Sequence, residues 1–235
     1  MEKRNAKAQT TVKTATCCLL AALIGTGQGL FLVAFLLDAS RRTPRDFVLL
    51  ACAIAFLLLA SGLASRTSWL SRAAIVLPGF MGMVLLYGLF HFLDSDRAFI
   101  LVAGAAAALL CIALVFRAGP IYFLLSLACG LTLAVPLAVL AWPQFAGPLA
   151  LGAFFVGGVA WLARCVVLLR NAFKRPKAKA ASAMVRAVRW IFVALLFPVP
   201  GWLLGWGGGS LAVFIAAFGL QFAGLLAERW DQSTA

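Results

Sequence analysis

Long apolar runs alternate with short polar breaks along the whole chain. Eight such runs can be drawn, at about 16–37, 47–64, 73–93, 98–116, 121–142, 149–169, 190–204 and 211–227. A helix rises 1.5 Å per residue, so about 20 apolar residues cross a hydrocarbon core of ~30 Å. Inside lipid every backbone N–H and C=O must be satisfied within the segment, which makes each run a helix. The expected fold is therefore an all-α membrane protein, a single domain over 1–235 with eight transmembrane helices arranged as two four-helix bundles. The seventh run is short and interrupted by Pro198 and Pro200, and the fifth contains Pro136.

The breaks carry the punctuation and nearly all the charge. Met1 to Lys13 is polar and basic, but the apolar run after it is longer than the 7–15 residues of a secretory signal, so it reads as a retained span. Asp38 to Asp46 is a loop with Arg41, Arg42, Pro44 and Arg45, and Asp94-Ser95-Asp96-Arg97 is an acidic turn. Arg117-Ala118-Gly119-Pro120 and Pro143 to Pro148 turn the chain. Arg170 to Arg189 is the longest polar segment and suits a lipid-headgroup loop.

One break is unlike the others. Thr67-Ser68-Trp69-Leu70-Ser71-Arg72 places hydroxyls, an indole and a guanidinium between two greasy spans, so it must lie at a membrane surface. Such a patch suits a lipid-soluble ligand whose polar head takes hydrogen bonds while its tail dissolves between helices. A quinone has that form, and Ser68, Trp69, Ser71 and Arg72 supply donors for its ring. Trp and Arg also anchor span ends with no ligand present.

With eight spans both termini share a side. Cytoplasmic termini put 16 of the 20 Lys and Arg residues on the inner side, as positive-inside topology requires. The same placement accounts for the net charge of +13 without invoking nucleic acid.

Composition narrows the chemistry. The chain is 64% hydrophobic and 11% charged, with mean hydropathy +1.04. It has six cysteines without a C-x-x-C pair, expected to be small packing residues, and no metal site is expected. Its single histidine, His91, cannot supply both axial ligands of a bis-histidine haem. Asp38, Asp46, Asp94, Asp96, Glu228 and Asp231 sit at span ends, where solvated carboxylates are the default expectation. Hydrolytic catalysis and a proton-coupled pump both lack the groups they need, and no catalytic residue is expected. Gly25-Thr26-Gly27-Gln28-Gly29 mimics part of a dinucleotide fingerprint, but its third glycine comes one position early. Close helix packing is the expected use of those glycines, with Gln28 as an interhelical hydrogen bonder or a site residue.

S-W-L-S-R at Ser68 to Arg72, opening the third span, resembles the signature of the membrane-anchor subunits of dimethyl sulfoxide reductase-type complexes. Pro148-Leu149-Ala150-Leu151-Gly152 with Phe154-Phe155, Arg189-Trp190, and Ala223 to Arg229 are similar to later parts of that family. The sequence departs from the family where Ala73-Ala74 stand for Glu-Ile, where Gly62 to Arg66 lack a histidine, and where Leu225 stands for a glutamate. The resemblance implies a non-catalytic anchor in a bacterial inner membrane, without bound metal or haem, working in anaerobic electron transport. It implies an iron–sulfur electron-transfer subunit and a molybdopterin catalytic subunit as partners, and quinone as an exchangeable substrate. Ser68, Trp69, Ser71 and Arg72 would lie where the iron–sulfur partner docks, with Arg229 as a further quinone-binding candidate. Combined with the charge count, it implies a cytoplasmic catalytic module, as in cytoplasmic sulfite-oxidising complexes. A small-molecule permease or facilitator is the alternative from a different class.

Overall fold

A computed structural model of the chain describes residues 2–40, 43–64, 72–116, 119–174, 191, 193, 195, 198–206 and 210–234. Eight helices have described bounds: α1 Glu2–Ser40, α2 Arg45–Ala64, α3 Arg72–Phe92, α4 Arg97–Phe116, α5 Pro120–Ala141, α6 Pro143–Lys174, α7 Pro198–Trp206 and α8 Leu211–Thr234; Ile191, Val193 and Leu195 are helical as well. Five contain stretches long and apolar enough to cross a membrane: Ala15–Ser40, Arg45–Leu63, Arg97–Leu114, Pro120–Ala141 and Pro143–Val167. Val76–Phe92 and Leu211–Ala227 are shorter apolar helices.

Packing closes the helices into two rings of four. In the first, α1 meets α2, α2 meets α3, α3 meets α4 and α4 returns to α1; α5, α6, α7 and α8 repeat the pattern. The rings join chiefly through α1 and α5. Those two helices are correspondingly the best buried, at 61% and 67% of their apolar stretches, against 28–39% for the other three long ones.

The glycines explain how α1 and α5 approach so closely. A Cβ on Gly29 would stand 1.9 Å from the backbone oxygen of Ser126, and one on Gly130 would stand 2.2 Å from the carbonyl carbon of Gly29. Gly25 and Gly29 on α1 thus face Ser126 and Gly130 on α5, a small-xxx-small seam on each side. Gly27 faces the other way, where a Cβ would lie 2.9 Å from Ala55 O on α2. The expected packing role of these glycines holds. Gln28 is different, because its Oε1 is buried with no hydrogen-bond partner among the described residues.

The helix ends differ in places from the hydropathy reading. Pro143 to Pro148 is not a turn, because α6 begins at Pro143 and only Trp142 separates it from α5. Pro143 sits at the first helical position, where its missing N–H costs nothing and its fixed φ favours helix entry. Pro136 lies inside α5 without ending it. The last helix runs on to Thr234, past the expected end near Ala227.

Candidate functional site

Ser68, Trp69 and Ser71 lie outside the described residues, and Arg72 opens α3. Arg229 is described: its guanidinium carbon lies 3.6 Å from the ring centre of Tyr122, over the ring face. A cation held that close to a tyrosine gains from the ring quadrupole, most strongly where water is excluded. Tyr122 in turn donates to Ala21 O on α1 at 2.9 Å, so α1, α5 and α8 meet at this point. Gly62, near the end of α2, packs on Ile24 at the same level of α1. The Arg229–Tyr122 pair therefore occupies the end of the bundle at which α2 finishes and α3 starts. Hydropathy alone does not single out Tyr122.

Deeper along α1, Thr26 Oγ1 donates to Ala22 O at 2.9 Å and lies 3.4 Å from Cys129 Sγ on α5. Cys111 on α4 donates weakly from Sγ to Gln28 O at 3.8 Å. Thr132 on α5 pairs with Gln221 on α8. These groups fasten helices to one another in the apolar interior, where a hydroxyl without a partner is costly.

The densest cluster of ionisable groups among the described residues stands at the opposite end. Asp38, in the last turn of α1, is fully buried. Its Oδ1 accepts from Arg97 Nη1 at 2.7 Å, and its Oδ2 accepts from Tyr87 Oη at 2.8 Å and lies 3.1 Å from His91 Nε2. Arg97 also donates to the backbone oxygen of Asp38. This overturns the expectation of a solvated carboxylate at that span end. The reason is tertiary: Tyr87 and His91 are four residues apart on α3, hence on one face, and Arg97 is the first residue of α4.

A carboxylate near a helix C-terminus is opposed by the helix dipole. Arg97 answers both problems at once, neutralising the side chain and satisfying a terminal carbonyl of α1. Arg45 does the second job for α3, donating to Phe92 O while its guanidinium lies 5.5 Å from the Phe92 ring centre. Below the cluster, Phe31, Phe35, Phe80 and Tyr87 form a block of edge-to-face rings, with Phe31–Phe80 at 5.5 Å and Phe31–Tyr87 at 5.7 Å. That block is apolar, so among the described residues the cluster's polar groups have one another and the surface above. Tyr87→Phe should cost about 1.5 kcal/mol, the typical loss of a hydrogen bond to a charged group, read as a lower melting temperature in detergent.

His91 thus lies at the end away from Arg229, as expected from alternating spans. Chemically, the Arg229 end presents a guanidinium seated directly on an aromatic ring, so an electron-rich or carbonyl-bearing head meets the edge of that stack. The Asp38 end holds a neutralised carboxylate whose acceptors are already used.

Fold and composition define a helical membrane protein. No protein-family model matches the chain, and no solved structure does. Among curated proteins it is similar to one of the subunits of the sulfite dehydrogenase of Allochromatium vinosum, with 28% identity over 90% of this chain and 92% of that protein.

Proposed function

We propose that this chain is the membrane subunit of a multi-subunit oxidoreductase, holding soluble redox subunits at the membrane and exchanging electrons with quinone. The observation that carries this reading is end-to-end similarity to a protein named as one subunit of a sulfite dehydrogenase. Similarity over nearly the full length of both chains argues for a shared architecture rather than a shared segment.

The finer assignments follow from the family resemblance. An iron–sulfur subunit docks at the end of the bundle where α2 finishes and α3 starts, and a molybdopterin subunit sits beyond it. Sulfite is the first substrate to test for that catalytic partner. Quinone meets Ser68, Trp69, Ser71 and Arg72 at the same end, with Arg229 as a further donor. The Arg229–Tyr122 stack supports this, because it places a cation and an aromatic ring at that level of the bundle. Lys and Arg distribution favours both termini, and so the soluble subunits, in the cytoplasm.

The test combines isolation with one substitution. The chain carrying an affinity tag is purified from membranes, and the co-purifying subunits are identified and assayed with quinone and with a soluble artificial acceptor. Arg72→Ala should lower quinone-linked turnover at least about tenfold, the order expected when one charged donor to a ligand is lost, while leaving artificial-acceptor turnover unchanged. Recovery of the chain without any redox subunit would refute the anchor role. Unchanged quinone-linked turnover would refute the site alone.

A further inference from the structure

At the Asp38 end, α2 and α3 do not close on each other. Between them runs a groove of about 470 Å³ lined by apolar residues of the two helices. Cys52 and Val84 form its buried floor, and Leu57, Leu85, Leu89 and Phe92 form its exposed rims. Lining residues run from Leu49 to Leu57 on α2 and from Val84 to Phe92 on α3, so the groove is roughly 12 Å long at 1.5 Å per residue. That is close to the depth of one leaflet of a ~30 Å core.

The groove's outer end is closed by Phe92, and Arg45 sits on that ring. Arg45 is exposed, spends one N–H on Phe92 O, and forms no ion pair with any carboxylate among the described residues. The neighbouring cation, Arg97, is already committed to Asp38. Asp46, Asp94 and Asp96 are exposed on the same end of the bundle, and none of them pairs with Arg45. A guanidinium without a carboxylate, at interface level above an apolar slot of leaflet depth, matches a phosphodiester head joined to an acyl chain.

We propose that the α2–α3 groove is a binding site for an anionic phospholipid of the surrounding bilayer, with one acyl chain in the groove and the phosphate on Arg45. The site lies at the opposite end from the quinone residues named above and does not depend on them. Gly88 gives the slot its width: a Cβ there would stand 3.5 Å from Cys52 Cβ, an ordinary contact, so a larger side chain would occupy the space a lipid chain needs.

The full-length chain in detergent micelles, stripped of lipid and titrated with phosphatidylglycerol under native mass spectrometry, tests this. One phosphatidylglycerol should bind at least about tenfold more tightly than phosphatidylcholine, and Arg45→Gln and Gly88→Leu should each remove that preference. Circular dichroism of both variants reports folding, and Arg45→Gln, an exposed change, keeps the test decisive should Gly88→Leu fail to fold. Equal binding of the two lipids, or unchanged binding in Arg45→Gln, overturns the proposal. So does recovery of quinone rather than phospholipid from this groove in the unstripped protein.

Discussion

Gly29→Ala removes most of the protein from the membrane fraction, while Gly152→Ala leaves its level unchanged. The added methyl at position 29 would meet the Ser126 oxygen at 1.9 Å and the Ser126 carbonyl carbon at 2.6 Å. Both are backbone atoms and neither can rotate aside, so α1 and α5 must separate along the seam that joins the two rings. Overpacking of a tight core costs about 1–3 kcal/mol and occasionally more. Here the displaced element is a helix rather than a side chain, which places the cost at or above the top of that range. Gly130→Ala should behave alike, since its Cβ would fall 2.2 Å from the Gly29 carbonyl carbon. Gly152, on the outer part of α6, has nothing within 4 Å of a built Cβ and serves as the control. Membrane-fraction abundance and melting temperature in detergent read the difference; equal behaviour of Gly29→Ala and Gly152→Ala would refute the seam.

Arg97→Met is the second large effect, and its partner substitution should partly rescue it. The Asp38 side chain is 1% exposed, whereas that of Arg97 is 44% exposed. Removing the arginine leaves a buried carboxylate without its cation, a situation that costs about 3–5 kcal/mol in a fully buried pair. Because the arginine half of this pair reaches solvent, about 2 kcal/mol is the better expectation. Asp38→Asn alone should cost less: the freed guanidinium hydrates, and the amide oxygen still accepts from Tyr87 or His91. The double variant Asp38→Asn/Arg97→Met should then be more stable than Arg97→Met, a sign that additive contributions cannot give. Thermal melts of the four proteins check it, and a double variant less stable than either single one would exclude this account of the cluster.

Hydropathy makes the membrane class and most helix positions legible, because spanning helices are set by composition over a window. The seam is legible too, since glycines four apart in an apolar helix have few uses besides close approach. The Asp38 cluster is not. A span-end aspartate reads as wet, and its burial depends on His91 and Arg97, which are 53 and 59 residues away. Scarcity is the available signal: the chain has two tyrosines and one histidine. Both tyrosines end against charged partners, Tyr87 at Asp38 and Tyr122 beneath Arg229. The Pro143 to Pro148 stretch misleads because proline marks both turns and helix starts, and only the backbone decides between them. Of the quinone residues expected from the sequence, the structure gives Arg229 a defined neighbour in Tyr122, and Arg72 a position at the head of α3.

A ribosome that has released the chain through Phe116 has already delivered every member of the first ring, α1 to α4. Those four can assemble among near neighbours in sequence before α5 exists, as low-separation contacts favour. Until then the bare strip at Gly25 and Gly29 faces lipid, and α5 inserts against a partner that is already built. Nascent chains arrested before Pro120 would thus carry a finished first half with one unsealed side, the state most open to membrane proteases.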